Sequence, residues 1–390
     1  MLVDNRQIRE ILDGFKIFAE LSVKYVPSFS GLSDCTVAMY GVGECSHWFH
    51  EIAMIKHNVM PRFVVDGKPS SGKWHGLDVL TPQEFARQCA NKKHIHIIVC
   101  VGNFKTYDEI RTSLLSAGFN NIWFLAEFFE IHSELVTAKE NSNKCIIANQ
   151  GEVIKAFEMI AEEQSKEIFA RFLQLHTRQK GLIFPKRPVS EQFFPSDVPS
   201  DKQIKNYVCC GSYDGENIRK LKKQNMAVQN IFCFEPDEKM LHRLQATASD
   251  FKSYFANSAI FCSNKAVSDH RGRCNFIASS GLGARICESG TDSVEVTTLD
   301  SELNNDEVDL ISMDIEGEEL KALKGAQQTI QRCKPDLGIA VYHHPEQIWE
   351  IPLYIKGLNP DYEFFLRNYT GYAAETILYA RVLKREHTFS

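Results

Sequence analysis

No run of roughly 18 uncharged apolar residues occurs in this chain, which excludes a membrane-spanning helix from the reading. Nor is there an excess of basic charge: 44 Lys+Arg stand against 50 Asp+Glu, net −6, so nucleic acid is not expected as the main partner. The 12 cysteines include no Cys-x-x-Cys and follow no secretory signal, which predicts reduced thiols and a cytoplasmic location. Glycine and proline are missing from 152 to 180, a charged stretch whose apolar positions (Val153, Phe157, Ile160, Ile168, Phe169, Phe172) predict a connecting helix. What remains is a soluble globular balance with 44% hydrophobic residues. At 390 residues it is too long for one core, so at least two domains are expected.

The amino-terminal segment 5–26 repeats apolar residues at Ile8, Ile11, Leu12, Phe15, Phe18 and Ala19, the spacing of an amphipathic helix. Its charges Asp13, Lys16 and Glu20 exclude a signal sequence. A strand over 36–40 then runs into Gly41-Val-Gly43 and a helix over 44–57, and a strand over 62–65 ends in Asp66, 23 residues after Gly43 (66 − 43). This is a partial dinucleotide fingerprint, with Ser46 at the third glycine position. Thr81-Pro82-Gln83-Glu84 reads as a helix start. Strands over 96–101 and 121–125 flank a helix over 107–117, so residues 35–130 alternate as a small α/β domain with a parallel sheet. Its turns resemble those of Rossmann-like modules fused to some methyltransferases and to sugar-modifying acyltransferases. That resemblance, resting on Gly41, Gly43, Asp66 and the turn at 101–103, implies a nucleotide or nucleotide sugar as a possible ligand; close helix–strand packing explains the two glycines equally.

The segment 184–200 holds Pro185, Pro188, Pro195 and Pro199 and predicts a linker. After it, Tyr207-Val-Cys-Cys-Gly-Ser-Tyr-Asp-Gly215 is a strand stopping at a glycine turn before a helix over 217–226. An apolar run at 231–234 follows and ends in Glu235. A helix start beyond one strand and an acidic residue ending the next describe a nucleoside pocket, with Glu235 accepting from both ribose hydroxyls. Further strands are expected over 260–267, 309–314, 337–342, 362–367 and 376–381, with a hairpin formed by 273–277 and 294–298 around the glycine-rich 279–283. The last two strands are joined by a short loop and must be antiparallel.

The segment 309–326, Asp-Leu-Ile-Ser-Met-Asp-Ile-Glu-Gly-Glu-Glu-Leu-Lys-Ala-Leu-Lys-Gly-Ala, resembles the signature of FkbM-type methyltransferases, which use S-adenosylmethionine. The 211–215 turn, Phe234-Glu-Pro236, Asn264-Lys-Ala-Val-Ser268, Leu299-Asp300, and Tyr342-His343 with Trp349-Glu-Ile-Pro352 agree in order, over about 190–385. The resemblance implies two Rossmann-like α/β domains, the second a class I methyltransferase-like mixed seven-stranded sheet with helices on both faces. The boundaries expected are 1–135 for the amino-terminal domain, 136–200 for the connector and linker, and 201–390 for the methyltransferase domain.

It further implies methyl transfer from S-adenosylmethionine to an oxygen acceptor, a sugar or glycan intermediate. Cys210, Gly211, Ser212 and Gly215 would approach the methionine end of the cofactor, Glu235 would hold the ribose, and Asp314 would face the methyl group. For a hydroxyl acceptor a proton must be removed, and Asp314, Glu316 and His343 are the groups available. His343 is the candidate base. Asp314 and Glu316 would otherwise cap the helix that follows, and His343 would be a surface histidine. The three are adequate ligands for a divalent ion, but no spacing demands one and no metal is assigned. Two positions depart from the family pattern: Cys209 replaces an acidic residue that orients the cofactor's ammonium group, and Ser312 replaces a lysine. The alternatives are therefore a weakened cofactor-binding or docking module and, less favoured, NAD-linked redox chemistry in the amino-terminal domain.

Overall fold

The computed structural model describes residues 6–10, 12, 29–43, 45–68, 72–101, 106–125, 128, 142–176, 185, 187–252, 254–255, 258–277, 285–286, 292–370 and 374–384. The expected helix beyond Leu12, the turn at 102–103 and the glycine-rich 279–283 lie outside them. The chain divides into two compact units. One comprises Met1–Asp13, Cys145–Leu173 and Ile183–Ser390, the other Gly14–Lys144 and Gln174–Leu182. No helix among the described residues is long and apolar enough to cross a membrane.

In the second of these units, β1 (Thr36–Tyr40) leads into helix α1 (Ser46–Trp48), which widens to a π-helix over Phe49–Lys56. There follow β2 (Pro61–Val65), β3 (Lys73–Trp74), β4 (Leu77–Leu80), α2 (Pro82–Gln88), β5 (Ile95–Val99), α3 (Tyr107–Ser116) and β6 (Asn121–Phe124). The sheet order is β3-β4-β2-β1-β5-β6, parallel apart from the β3/β4 pair. The apolar runs of β1 and β5 are buried on both faces, as an interior parallel strand requires. The helix start at Thr81 is a capping box: the Thr81 hydroxyl accepts from the Glu84 amide and Glu84 accepts from the Thr81 amide, with Pro82 at the first helical position.

After helical residues 6–10 and the helix Ser142–Ala148 come α4 (Gln150–Glu158) and α5 (Glu163–His176), two elements where the sequence predicts one. The break has a cause. Ala161 donates its amide to the Phe364 carbonyl at 2.9 Å and Ser165 accepts from the Leu366 amide at 2.8 Å, so the chain between the helices pairs along a sheet edge. The elements that follow are β7 (Asn206–Cys210), α6 (Glu216–Lys223), β8 (Asn230–Phe234), α7 (Glu238–Asp250), β9 (Ala259–Ser263), β10 (Ala266–Val267), β11 (Gly272–Ile277), β12 (Arg285–Ile286) and β13 (Asp292–Thr297). Then come α8 (Leu299–Leu303), β14 (Leu310–Met313), α9 (Glu319–Lys324), α10 (Gln327–Cys333), β15 (Asp336–Ala340), α11 (Gln347–Leu358), β16 (Glu363–Asn368) and β17 (Thr376–Arg381).

Seven strands form the main sheet in the order β16-β17-β15-β14-β7-β8-β9, with β17 antiparallel to both neighbours and the other pairs parallel. The expected antiparallel final pair is therefore present. The strand expected over 260–267 is divided: β10 belongs to a separate four-stranded sheet, β10-β13-β11-β12, which also holds the expected hairpin. Asn264 sits at the division, its side-chain amide donating to the carbonyls of Glu235 and Pro236 at 3.0 Å each. The proline-rich stretch expected as linker sends Phe193 and Phe194 into the apolar core beside Tyr207 and Tyr379.

Arg367 is 1% exposed and makes an ion pair with Glu162 and a 3.0 Å contact from Nε to Asp197. Replacing it by methionine strands two carboxylates. Because Glu162 and Asp197 keep some contact with water, the loss should be near 2 to 3 kcal/mol, below the ~3–5 of a fully enclosed pair. Denaturant unfolding of Arg367→Met checks this; an unchanged midpoint would show the network contributes nothing.

Candidate active site

The strand β7 lies between β8 and β14, and the crevice of such a sheet opens beyond the carboxyl ends of strands where the order reverses. There the backbones nearly touch. Gly211 has φ +77, and a Cβ on it would stand 1.9 Å from the Asp314 carbonyl oxygen, so only glycine fits. Gly215, φ +88, begins α6 and packs against Thr247. The amides of Gly211 and Ser212 both donate to the Phe234 carbonyl, at 3.0 and 3.2 Å, and the Ser212 hydroxyl donates to the Cys209 carbonyl at 2.9 Å. Cys210 is buried at the end of β7, where desolvation pushes its thiol well above the ordinary range. The amides of Gly211, Ser212 and Gly215 are thus all taken up within the protein rather than aimed into the crevice.

Glu235 follows β8 and is 6% exposed. Its Oε2 accepts from the Tyr213 amide at 2.7 Å and its Oε1 from the Asp237 amide at 2.9 Å, leaving each oxygen a second lone pair. Burial raises its pKa to about 7 against the opposing pull of those amides.

Asp314, Glu316 and His343 come together. His343 Nε2 is 3.4 Å from Asp314 Oδ1 and 3.4 Å from Glu316 Oε2. The Tyr342 hydroxyl donates to Asp314, 3.1 Å to Oδ1. Burial, then the charge of Glu375, lifts the Asp314 carboxyl well above its usual range. Desolvation alone would depress the His343 imidazole, but Glu319, Asp314 and Glu316 outweigh it and raise it to about 10. At neutral pH the ring is therefore an imidazolium.

Three polar residues here were missed by the sequence reading. Glu319, the first residue of α9, is 0% exposed and places Oε1 3.0 Å from His343 Nδ1. Gln347 donates its side-chain amide to Glu319 Oε2. Glu375, from the loop before β17, hydrogen-bonds Gln192, whose carbonyl accepts from the buried Lys220 ammonium at 2.8 Å. The Asp-x-Glu-x-x-Glu spacing was a usable signal for Glu319; nothing local marks Glu375. One ligand atom each from Asp314, Glu319 and His343 lies within 4.8 Å of the others. Glu319 Oε1 already accepts from the amides of Ile315 (2.9 Å) and Gly317 (3.4 Å), so we assign no ion to this trio.

The two departures from the family pattern are cross-strand neighbours, since Ser312 pairs in register with Cys209. Both are 1% exposed; Ser312 shares a 2.6 Å hydrogen bond with Tyr207, and Asn217 donates to the Cys209 sulfur at 3.2 Å. Asp300 accepts from the amides of Gln328 and Thr329, at 2.9 and 2.8 Å, and so holds the start of α10.

In the other unit, Gly41 has φ +102 and approaches the Cys100 carbonyl, while Asp66 accepts from the amides of Val42 (2.9 Å) and Lys68 (2.7 Å). Gly43 accepts from the Ser46 hydroxyl at 2.7 Å. All described cysteines are free thiols.

Residues 210–372 match the methyltransferase FkbM domain. The whole chain is similar in fold to the crystal structure of methyltransferase FkbM from Methylobacillus flagellatus KT, with a TM-score of 0.72 and 20% identity, covering 97% of this chain and 100% of that one. This likeness carries the class I methyltransferase-like fold. Aeropyrum pernix fibrillarin with natively bound S-adenosyl-L-methionine (TM-score 0.28, 9% identity, 47% and 68% covered) is similar only at a level that carries no argument. The same holds for the S-adenosylhomocysteine-bound Podospora anserina methyltransferase PaMTH1 (0.29, 10%, 63% and 97%). No curated protein matches the chain by sequence.

The close approach of β7 and β14 is testable without any ligand. Gly211→Ala must push the Asp314 carbonyl away and hold a left-handed backbone, so it should cost at least about 1–3 kcal/mol. Thermal unfolding measures it, and a melting temperature equal to the parent's would contradict the geometry.

Proposed function

We propose, from the match of residues 210–372 to the methyltransferase FkbM domain, that this chain methylates a hydroxyl of a sugar or glycan intermediate, with S-adenosylmethionine as donor. The observation that supports this reading most is the convergence of Asp314 and His343 on the crevice edge formed by Gly211. The cofactor fits the residues present. Glu235 keeps one open lone pair on each oxygen for two ribose hydroxyls, and the Gly211 turn sets that carboxylate and Asp314 on either side of β7. When bound, S-adenosylmethionine supplies a methyl group activated as a sulfonium. The chain's own residues must align the acceptor and take its proton. Asp314, held by Tyr342, orients the acceptor hydroxyl, His343 in its neutral form accepts the proton, and Glu316 balances the charge of the ring. A cytoplasmic location belongs to the same reading and is supported by the free thiols.

A catalytically weakened binding module is the rival favoured by Cys209 and Ser312; it predicts calorimetric cofactor binding with no transfer to any hydroxyl acceptor. A nucleotide or nucleotide sugar at Gly41, Gly43 and Asp66 is favoured by one parallel: Asp66 accepts from a turn amide just as Glu235 does. Equal titration heats for Asp66→Ala and the parent with a nucleotide would dispose of it.

Ribose hydroxyls donate to the ionised Glu235, so cofactor affinity should rise with pH through about 7 and then level. Glu235→Ala should lose on the order of 1–3 kcal/mol of binding and the pH dependence with it. Calorimetry at several pH values decides, and an affinity unchanged in the variant removes Glu235 from the pocket.

A base must shed its proton before it can act. With the imidazole pKa raised to about 10, the transfer rate should keep climbing well above neutral pH rather than levelling near 6.5. His343→Ala should bind cofactor like the parent and transfer about 10² to 10⁴ times more slowly. An undiminished rate, or a plateau near 6.5 in the parent, would take His343 out of the mechanism.

A further inference from the structure

Glu319 is wholly enclosed at 0% exposure, whereas the side chains of Asp314 and Glu316 are 24% and 32% exposed. An enclosed carboxylate persists only where donors surround it. Here they do. The amides of Ile315 and Gly317 converge on Oε1, and Gln347 donates to Oε2 while its own carbonyl accepts from the His344 amide at 3.1 Å.

The convergence of the two amides requires unusual backbone. Glu316 (φ +57) and Gly317 (φ +105) are consecutive left-handed residues, and a Cβ on Gly317 would lie 2.3 Å from His344 Nε2. A left-handed conformation at a non-glycine residue is strained and persists only where the surroundings fix it. Successive amides in such a turn form an anion-binding concavity, and Glu319 occupies it. The carboxylate stays ionised: burial would raise its pKa, but the charge of His343, together with the Ile315 amide, brings it below the usual range.

The ring it faces is oriented in consequence. His343 Nδ1 lies 3.0 Å from Glu319 Oε1 in a contact set off the line of a hydrogen bond, so charge carries it more than direction. The opposite nitrogen, Nε2, meets Asp314 and Glu316.

We propose that Glu319 is the positioning residue of this site: from the closed side it keeps the exchangeable proton of neutral His343 on Nδ1 and presents a bare Nε2 to the crevice. The role rests on His343 being the proton acceptor, yet the ring can be examined without the reaction. The groups facing His343 are Glu319 of α9, Asp314 and Glu316 after β14, Glu375 before β17, and its neighbours Tyr342 and His344. Of these, Glu319 contributes the largest upward pull on the imidazole.

The experiment is nitrogen-15 NMR titration of the His343 ring in the full-length parent, in Glu319→Gln and in Glu319→Asp. In the parent, the neutral form above the transition should be protonated on Nδ1. Glu319→Gln keeps an oxygen for the two amides but removes the charge, and its ring should lose proton affinity by at least about tenfold. Glu319→Asp, with the charge retained, should recover most of that loss. A purely structural carboxylate would alter unfolding in both variants and leave the titration in place. Equal titrations in parent and Glu319→Gln overturn the proposal, as does an Nε2-protonated neutral ring in the parent, which decides the matter should the variants fail to fold. If the titrations behave as expected but no hydroxyl acceptor is ever methylated, Glu319 keeps its role and the methyl-transfer reading falls.

Discussion

The approach of β7 to β14 at their carboxyl ends is the constraint on which the site depends. Gly211 touches the Asp314 carbonyl where a side chain would overlap it, and the Asp314 amide in turn donates to the Cys210 carbonyl at 3.1 Å. Because the two backbones are locked at this point, the Asp314 carboxylate projects from a fixed origin, with Tyr342 and His343 arriving beside it from β15. On the other side of β7, the Phe234 carbonyl gathers the amides of Gly211 and Ser212 and so places Glu235 next to the same turn. One backbone contact thus sets the spacing between the acidic end of β8 and the acidic end of β14.

Charge is the second organising feature. Asp314, Glu316 and Glu319 lie against one imidazole and Glu375 acts on it by charge, with Lys220 joined to Glu375 through Gln192. Burial and then the neighbouring carboxylates make Asp314 hold its proton more tightly than in water, and the carboxylates do the same for His343 against its burial. Their titration belongs to the group rather than to either residue. Such a crevice attracts cationic centres and resists anionic ones close to Asp314.

Much of the fold was legible because interior parallel strands are uninterrupted apolar runs, as in β1, β5, β7 and β14. The short pair β3 and β4 escaped because a two-residue edge strand and the four-residue strand beside it, half in water, carry no periodicity. The split between β9 and β10 escaped because its cause, the Asn264 side chain on the Glu235 and Pro236 carbonyls, is a tertiary contact. In the site, Asp314, Glu316 and His343 were readable as polar residues following apolar strands. Glu319 was marked only by its spacing from Asp314 and Glu316 and was passed over, since an acidic residue in a first helical turn reads as a partner of the helix dipole, and its burial depends on Gln347 and His343 from far along the chain.

The register of β7 against β14 gives the two departures from the family pattern a joint meaning. Cys209 and Ser312 are paired residues, so the acid and the lysine that the pattern places there would face each other as a buried couple. Both positions are uncharged here, and Tyr207 and Asn217 supply their hydrogen bonds. Exchanging an ion pair for neutral groups leaves no orphaned charge, whereas losing either half alone would. A charge placed at either position alone would therefore be buried without a partner at the junction of β7 and β14, so the two positions are coupled through the register.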